Sequence, residues 1–374
     1  MSFKLLHVGK FYPPHMGGIE VHVRDLVRQQ AQCCSVSILV ANDGVRKVHE
    51  RKDGADLFRL GSLGNISSMQ ICPTLPWHVY RSQADIIHMH MPNPAAAFAY
   101  VVSGRHTPLV ITHHSDTTGR ANLRRLSDPF VRNVMRRASR IIVTSRRYAD
   151  TSTEVQPYLD KTEVIPLGID PTEFEKPEQE TVRKIRSRYG PRFVIAIGRL
   201  VAFKGFEFLI RAMQSVPGNL LLVGDGPLRA HLEGIVTECK VSGRVFFAGP
   251  IDNSQIANYL AAADVFAMPS ICRAESFGIV QLEAMAAGIP VVNTSIDSGV
   301  SAVSLNGITG ITVPPADPFS LAQALTSLIA DRELRRRMGE AGKARVRSEF
   351  SVQRMSIRIM QIYEQILRDN ASEM

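Results

Sequence analysis

The sequence predicts an α/β protein with two doubly wound domains, each a mostly parallel sheet between helices. The chain has 374 residues, which is long for one compact core and sufficient for two. Short apolar segments alternate with helical stretches along the chain, as in parallel sheets whose strands are joined by helices. Each half contains about six such apolar segments, so two sheets fit the pattern better than one large sheet.

The predicted strands are short apolar runs, each separated from the next by a helical or turn-forming stretch. In the first half they are Lys4–Val8, Val36–Val40, Asp85–His88, Leu109–Thr112, Arg140–Val143 and Glu163–Ile165. In the second half they are Phe193–Ile197, Asn219–Val223, Arg244–Ala248, Asp264–Met268, Pro290–Asn293 and Gly310–Val313. A final helix is predicted over Ser351–Asp369, where one stripe is formed by Met355, Ile359, Ile362 and Ile366.

The domain boundary is predicted near Leu167–Phe174, where glycine and proline stand at positions that favour turns. We therefore assign residues 1–168 to an N-terminal domain and residues 169–351 to a C-terminal domain.

Composition limits the classes of protein to which the chain can belong. Hydrophobic residues make up 45% and charged residues 21%, as in an ordinary globular protein. No apolar run is long enough to cross a bilayer, and the first residues lack the features of a signal peptide, so a cytoplasmic protein is expected. The five cysteines are irregularly spaced and form no zinc-like cluster, so neither a disulfide framework nor a metal site is expected.

The net charge of +9 is unevenly distributed. Residues 1–160 carry 20 Lys and Arg against 12 Asp and Glu. This asymmetry indicates an anionic partner for the first half, either a membrane surface or a phosphorylated acceptor. The sequence has no helix-turn-helix, zinc-finger or aromatic–basic pattern, so nucleic acid is not an expected partner.

Two loops of the first half carry candidate site residues. Gly17 and Gly18 follow the first strand, where their backbone amides can approach a phosphate at a helix N-terminus. A plain glycine turn is the alternative interpretation. The segment Thr112–Asp116 also follows a strand, and a histidine there can donate to a sugar hydroxyl or a phosphate. A surface pair formed by His113 and His114 is the alternative.

Two loops of the second half carry charged residues. Arg199 and Lys204 follow a strand and can both reach a diphosphate, unless they belong to a solvated basic loop. Glu275 and Glu283 stand eight residues apart around the predicted start of a helix. The amides between them can bind phosphate, and a carboxylate on the helix can accept both hydroxyls of a ribose. A capping glutamate followed by a glutamate on the helix face is the alternative.

With these loops in order, the chain resembles glycosyltransferase family 4, the retaining enzymes with the GT-B fold. The resemblance covers nearly the whole chain, and the motifs are specific as a set. The matching motifs are Phe11–Glu20, Val164–Asp170, Gly198–Gly205, Val223–Pro227 and Glu275–Glu283. The resemblance implies two Rossmann-like domains that face each other across a cleft containing the catalytic site. It also implies that the N-terminal domain binds the acceptor, that the C-terminal domain binds the nucleotide sugar, and that residues 352–374 cross back to the N-terminal domain.

The resemblance also assigns roles to residues. His114, two residues after Thr112, matches the histidine that contacts the donor sugar, with His113 as the neighbour most easily confused with it. Glu275 would face the donor sugar and Glu283 would bind ribose. The implied catalytic residues are His114, Arg199, Lys204 and Glu275. The implied donor-binding residues are Gly17, Gly18, Arg199, Lys204, Gly226, Ser276, Phe277, Gly278, Ile279 and Glu283, with a base pocket near Val223–Gly226 and Gly249–Ile251.

The resemblance further implies a retaining transfer by front-face attack, in which the leaving diphosphate helps to deprotonate the acceptor. The chain contains no Asp-x-Asp motif, which fits catalysis without a metal. No cofactor is expected beyond the donor, a sugar linked to GDP or UDP. The Thr-His-His-Ser-Asp segment favours GDP-mannose or a related donor. The expected acceptor is a saccharide or a lipid-linked saccharide in surface polysaccharide or glycolipid synthesis.

Other functions fit less well. A non-catalytic partner or sensor that binds a nucleotide sugar remains the alternative function, and a sugar-phosphate synthase or a phosphorylase is the nearest alternative enzyme. A nucleotide-binding oxidoreductase would need a Gly-x-Gly-x-x-Gly turn, and Gly224-Asp-Gly226 lacks the third glycine.

The segment Arg120–Arg147 contains nine arginines and one acidic residue, Asp128. Its apolar stripe consists of Leu123, Leu126, Phe130 and Val134, and Arg124, Arg125, Arg132 and Arg136 cluster away from it. This basic amphipathic pattern is typical of helices on anionic membranes. We therefore expect peripheral attachment to the inner face of a membrane. A core-facing helix with a solvated basic side is the alternative.

Overall fold

In the computed structural model the chain forms two units, described for residues 3–15, 17–66, 69–117 and 121–373. The first unit comprises Met1–Leu167 and Val352–Met374, and the second comprises Gly168–Ser351. The division falls within one residue of the boundaries expected from the sequence. The roles expected for the two domains stay predictions.

The first unit is built on an eight-stranded sheet, supplemented by a short two-stranded hairpin. In chain order its strands are β1 (Lys4–Val8), β2 (Ser35–Ala41), β3 (Val48–Lys52), β4 (Ala55–Leu60), β5 (Asn65–Ile66), β6 (Met69–Gln70), β7 (Ile86–Met91), β8 (Leu109–His113), β9 (Arg140–Val143) and β10 (Thr162–Val164). The order across the large sheet is β10-β9-β8-β7-β1-β2-β4-β3, and every pair is parallel except β3 with β4.

The sequence-based strand assignment missed the β3–β4 hairpin. Its turn residues Asp53 and Gly54 have φ values of 53° and 83°, and Asp-Gly with positive φ is favoured in two-residue hairpins. The Asp-Gly pair was therefore the feature of the sequence that could have indicated this hairpin. The assignment failed because β3 is an edge strand of mostly exposed polar residues, so it contains no apolar run.

The second unit is built on a six-stranded parallel sheet. Its strands are β11 (Phe193–Ile197), β12 (Asn219–Val223), β13 (Val245–Gly249), β14 (Val265–Met268), β15 (Val291–Thr294) and β16 (Gly310–Val313). The order is β13-β12-β11-β14-β15-β16, and each strand overlaps a predicted one. The predicted doubly wound α/β class is confirmed.

Helices join the strands of both sheets. In chain order the α-helices are α1 (Gly18–Gln30), α2 (Leu75–Arg81), α3 (Pro94–Ser103), α4 (Ala121–Arg137), α5 (Arg146–Thr151), α6 (Gln179–Tyr189), α7 (Phe206–Ala212), α8 (Arg229–Glu238), α9 (Asn253–Ala262), α10 (Val280–Ala286), α11 (Val300–Val303), α12 (Pro318–Ala330), α13 (Arg332–Glu349) and α14 (Val352–Glu373). Within the described part of the chain, no helix combines the length and the apolar character needed to cross a membrane.

The last helix, α14, packs in the first unit against α1. Its predicted stripe is buried in one core cluster with residues of β1, β2 and α1. Burying such side chains contributes roughly 1.5–3 kcal/mol each. The core of the second unit is mainly aliphatic and lies between its sheet and helices α7, α8 and α12.

Strand order places the candidate loops of each unit. In the first sheet β1 lies between β2 and β7, and in the second sheet β11 lies between β12 and β14. The chain reverses its direction across the sheet at these points. The carboxyl ends of strands beside such a reversal form a crevice in which ligands bind. The loops after β1 and β8 and the loops after β11 and β14 lie at these ends.

Candidate active site

In the second unit, the loop after β11 is fastened to the loop after β12 by backbone contacts. The amide of Leu200 donates to the carbonyl of Asp225 at 3.0 Å, and the amide of Leu228 donates to the carbonyl of Leu200 at 3.1 Å. A Cβ at Gly226 would lie 2.6 Å from the Leu200 carbonyl oxygen. Packing alone therefore demands glycine at position 226, which was predicted to bind the donor.

Lys204 and Glu275 form a largely buried ion pair at the carboxyl ends of β11 and β14. Lys204 ends the 3₁₀ turn Ala202–Lys204, and its Nζ lies 2.5 Å from Oε2 of Glu275. Their side chains are 14% and 11% exposed, and Ser270 Oγ donates to the same carboxylate oxygen at 3.2 Å. The structure thus brings together two of the four predicted catalytic residues. Burial makes their charges interact more strongly than on an open surface.

Arg199 lies in the same loop as Lys204, with an exposed side chain. Among the residues the structure describes, it has no ion-pair partner, so its guanidinium can meet an anion from solvent. Glu283 lies within α10 and is partly buried.

The turn between the two predicted glutamates leads into α10. Gly278 has φ +74°, and a Cβ there would lie 2.6 Å from the Met268 side chain. Phe277 and Ile279 point into the core, with exposures of 3% and 8%. Since the first amides of a helix have no partner within it, this turn presents backbone donors next to Ser276.

Two buried amide side chains that the sequence reasoning missed support this turn. Gln281 and Asn293 are both fully buried, and Asn293 Nδ2 donates to Gln281 Oε1 at 2.8 Å. Gln281 Nε2 donates to the Phe277 carbonyl at 3.2 Å, and Thr312 Oγ1 donates to Asn293 Oδ1 at 2.7 Å. A glutamine at an inward-facing position of α10 was the available signal. This network joins the turn to β15 and β16.

In the first unit, Gly17 precedes α1 and Gly18 is its first residue. The Glu20 carboxylate folds back to this helix start, so that a Cβ on Gly17 would collide with it. Burial raises the pKa of Glu20, while a hydrogen bond from its own amide and the charge of Lys10 oppose the rise. A carboxylate therefore occupies the helix N-terminus at which a phosphate was expected.

His113 and His114 enter different surroundings because successive residues of a strand point to opposite faces. His113 Nδ1 lies 2.9 Å from the Tyr148 hydroxyl, and its Nε2 lies 3.0 Å from Glu154 Oε2. Glu154 also accepts hydrogen bonds from Thr117. Burial raises the pKa of Glu154, but these hydrogen bonds outweigh it and the pKa is lowered overall. His113 thus anchors its loop.

His114 belongs to a buried group of imidazoles that the sequence reasoning missed. We call His7, His22, His88, His90 and His114 the histidine cluster; each is at most 4% exposed. Burial lowers the pKa of all five, to about 4 for His7 and about 3 for His22, so the cluster is neutral at neutral pH. Two histidines two positions apart in one strand, His88 and His90, were the available signal.

Hydrogen bonds link most of the histidine cluster. His114 Nε2 lies 3.3 Å from His90 Nδ1, and His90 Nε2 lies 3.0 Å from His7 Nδ1. His7 Nε2 lies 2.7 Å from Gln30 Oε1. His88 Nε2 lies 2.7 Å from Thr112 Oγ1, and its Nδ1 contacts the Tyr363 hydroxyl. Helix α14 therefore supplies a polar partner to the cluster.

The predicted basic helix corresponds to α4. Arg120 lies outside the described residues, and so do the side chains of Leu123, Arg124 and Leu126. Val134 is fully buried and Phe130 partly buried, whereas the arginines of this helix that lie in solvent are Arg125, Arg132 and Arg136. The helix packs its apolar side on the core and keeps a basic side exposed.

Exposed apolar residues lie on α2 and α3, and α3 packs against α4. Trp77 is 59% exposed, Tyr80 54% and Phe98 45%. Phe98 contacts Phe130 of α4 edge-on, with ring centroids 5.1 Å apart. A surface cavity of about 340 Å³ opens between these helices.

Comparison with known proteins places the chain in a family. Residues 16–173 match the family described as Glycosyltransferase Family 4, and residues 177–345 match Glycosyl transferases group 1. The D-rhamnosyltransferase WbpZ of Pseudomonas aeruginosa is 31% identical over 270 residues, 72% of this chain and 71% of that protein. The O-antigen chain mannosyltransferase C of Escherichia coli is 25% identical over 386 residues, 98% of this chain and 100% of that protein.

Among solved structures, sucrose-phosphate synthase from Thermosynechococcus elongatus has a TM-score of 0.80 at 24% identity, covering 98% of this chain and 100% of that one. This likeness extends across both units and confirms the predicted GT-B fold. The chain therefore belongs to glycosyltransferase family 4 and is a glycosyltransferase built from two parallel-sheet α/β units.

Proposed function

We propose that this glycosyltransferase moves a hexose, with mannose favoured, from a nucleotide diphosphate sugar to a saccharide or lipid-linked acceptor. The transfer retains the anomeric configuration and needs no metal. The observation that carries the proposal is the buried Lys204–Glu275 pair beside an exposed Arg199 at the switch point of the second sheet. Relatives named for mannose and rhamnose transfer support the choice of sugar.

In this proposal, the second unit handles the charge of the leaving group. The bond from the anomeric carbon to the diphosphate breaks, the acceptor oxygen bonds to that carbon, and its proton passes to the leaving diphosphate. Lys204 and Arg199 stabilise the negative charge that develops on the diphosphate. Glu275 and Ser270 keep the Lys204 ammonium at the strand edge, while Glu283 accepts the ribose hydroxyls.

For the first unit we propose that His114 contacts the donor sugar through a ring nitrogen. Its orientation is fixed by His90, and its neutral state allows it to donate or accept one hydrogen bond. Diphosphate binding at Gly17 and Gly18 requires the Glu20 carboxylate to leave the helix N-terminus.

The decisive experiment is calorimetry with UDP, GDP and ADP, each with and without EDTA. One diphosphate should bind and identify the base, and EDTA should not change its affinity. Failure of all three to bind would reject the donor site. NMR of the transferred sugar then tests the stereochemistry, because an inverted anomeric centre would exclude retention.

A lipid-linked acceptor would lie at a membrane surface. We therefore propose, second, that the first unit attaches to anionic membranes. The exposed arginines of α4 and the neighbouring exposed aromatic side chains support it, since these are the residue types that bind anionic interfaces. Each basic residue near the surface contributes on the order of 1 kcal/mol.

Flotation with vesicles tests this attachment. Anionic vesicles should recover more protein than neutral ones, and changing Arg125, Arg132 and Arg136 to Gln should abolish the difference. The matched control changes Arg183, Lys184 and Arg188, exposed on α6 of the second unit, to Gln. Equal recovery of wild type by both vesicle types, or equal loss in both triple variants, would exclude attachment through α4.

A further inference from the structure

One member of the histidine cluster has no hydrogen-bond partner. His22 is 1% exposed, and neither of its ring nitrogens has a partner among the residues that the structure describes. Buried polar atoms without partners are rare because they forgo the hydrogen bonds that water would supply. An unsatisfied imidazole in a protein interior therefore needs an explanation, and a bound metal ion is one.

Two further imidazoles lie beside His22. One nitrogen each from His22, His90 and His114 lies within 4.8 Å of the others. The His22 ring stands at 71° to the His114 ring with centroids 5.0 Å apart, while the His90 and His114 rings are stacked at 5.6 Å. The His22 ring is therefore steeply inclined to the other two, and one nitrogen of each ring lies in the same small region.

The hydrogen bonds of His90 leave the required nitrogen with a lone pair. Gln30 Nε2 donates to the Tyr363 hydroxyl, so Gln30 Oε1 accepts the proton of His7 Nε2. His7 Nδ1 then accepts from His90 Nε2, and His90 Nδ1 carries no proton. Metal-bound histidines are typically held in this way, with the second ring nitrogen donating to a neighbouring acceptor.

The distance between His90 and His114 also fits a shared ion. His90 Nδ1 and His114 Nε2 are 3.3 Å apart. Two nitrogens each about 2.0–2.1 Å from a tetrahedral zinc ion are separated by roughly 3.3–3.4 Å. For this nitrogen of His114 to bind an ion, its proton must lie on Nδ1.

We propose that His22, His90 and His114 form a binding site for a divalent transition-metal ion, with zinc as the best match. Three neutral imidazoles suit zinc, copper or nickel rather than magnesium or calcium, which require oxygen ligands. His7 and His88 are excluded as ligands because their ring nitrogens bond Gln30, His90 Nε2, Thr112 and Tyr363, whereas the partner of His90 Nδ1 is the other proposed ligand, His114. The ligands are far apart in the sequence, so spacing could not indicate the site.

A second group, His113 with Asp116 and Glu154, also brings three possible ligands together. Its atoms are already engaged by Tyr148, Ser152 and Thr117, so hydrogen bonds account for it without an ion.

The bound ion would inhibit transfer rather than assist it. It would hold His114, which the proposed function assigns to the donor sugar. This consequence rests on the proposed function, whereas metal binding itself does not. We therefore expect zinc to lower the transfer rate and EDTA to restore it.

Metal binding is tested without an activity assay. Protein freed of metal by EDTA is titrated with Zn²⁺ against a chromophoric chelator and with Co²⁺ by visible absorption. Wild type should bind one ion per chain with a Co²⁺ spectrum of nitrogen ligation, and its thermal midpoint should rise with Zn²⁺ concentration. His22→Leu and His114→Asn should each weaken binding at least tenfold. A loss of about tenfold is already typical when a residue that only supports a metal ligand is changed.

Two variants serve as matched controls. His106→Leu makes the same change at an exposed histidine, and Cys33→Ser removes an exposed thiol that could bind zinc. Both should bind like wild type. The proposal fails if wild type binds no ion, if His22→Leu and His114→Asn bind normally, or if either control loses binding equally. If His22→Leu does not fold, His114→Asn and the Co²⁺ spectrum of wild type decide.

Discussion

The two units have the same architecture but different interiors beneath their candidate loops. In the first unit, the carboxyl edge of the sheet contains five buried imidazoles, four of which form hydrogen bonds with one another or with Gln30, Thr112 and Tyr363. In the second unit, the corresponding edge holds the Lys204–Glu275 ion pair and the neutral Gln281–Asn293 amide pair, next to a mainly aliphatic core. The first unit thus buries a group of neutral imidazoles at its sheet edge, whereas the second unit adds a matched ion pair to its neutral amides.

This difference shows two ways to keep polar groups near a sheet edge. A buried histidine can lose its proton and become neutral, which removes the cost of burying charge. A lysine and a glutamate keep their charges by compensating each other, and removing one partner leaves the other buried and uncompensated. The first unit should therefore respond to pH and the second to loss of a partner.

The largest expected effect is acid destabilisation of the first unit. The pKa values of His7 and His22, lowered by burial to about 4 and about 3, lie below their usual 6.5. Since only the unfolded chain takes up these protons below pH 6.5, stability is complete above that pH and falls as the pH drops towards 4. At pH 5 each of these two histidines lowers the free energy of unfolding by about 2 kcal/mol. Urea unfolding in the presence of EDTA, followed by the fluorescence of Trp77, the single tryptophan, should show this loss of stability.

Replacing the histidine without partners sharpens this result. His22→Leu should move the acid loss of stability to lower pH, because one group that must stay neutral is gone. His231→Leu, at an exposed site of the second unit, should leave the pH dependence unchanged. A urea midpoint for wild type that does not change between about pH 7 and pH 5 would contradict the assignment of neutral buried imidazoles.

The next effect concerns the ion pair of the second unit. Lys204→Ala should lower kcat by roughly 100-fold, because the leaving diphosphate loses a cation whose effect grows in the transition state. The rate is measured at saturating donor. Lys184→Ala, which breaks an exposed pair with Glu180, should retain the wild-type rate. An unchanged rate in Lys204→Ala would show that this ion pair has no role in catalysis.

Donor affinity should also depend on the second unit. Glu283→Ala should weaken binding of the nucleoside diphosphate by roughly 1.5–3 kcal/mol, since a ribose would lose a charged acceptor. Calorimetry measures the change, and Glu340→Ala, at an exposed position of the same unit, provides the comparison. Equal affinities for Glu283→Ala and wild type would argue against the ribose role.

The smallest effect compares one buried tyrosine from each unit. Tyr363→Phe should lower the free energy of unfolding by about 1–2 kcal/mol, because Gln30 and His88 lose a shared partner. Tyr189→Phe should cost less, since its hydroxyl has no hydrogen-bond partner in the described ranges. Thermal unfolding measures both. If both variants lose the same stability, the polar interior of the first unit contributes nothing specific.

Much of the architecture could be predicted from hydrophobic pattern. All six strands of the second sheet were located because buried parallel strands are continuous apolar runs. The stripe of α14 was also predicted, and Met355, Ile359, Ile362 and Ile366 are buried as expected. The edge hairpin of the first sheet was not, since β3 is mostly exposed and polar, and the buried apolar residues of β4 are interrupted by Asp56 and Arg59.

Among the candidate site residues, the structure joins Lys204 to Glu275 and places Gly226 and Gly278 where a side chain would collide. It separates His113 from His114 and fills the predicted phosphate position at Gly17 with Glu20. Gln281 and Asn293 could not be identified as partners from sequence, because they are twelve residues apart on different elements.

The sequence by itself determined the α/β class, the two-domain division and the family, because these depend on local periodicity and on motifs within short segments. Only the tertiary structure decided which polar side chains meet. His7, His22, His90 and His114 come from separate strands, helices and loops, and Tyr363 comes from the far end of the chain. Their proximity, and hence their protonation and the proposed metal site, arises from strand order and helix packing, which link residues across sequence distances that no local pattern records.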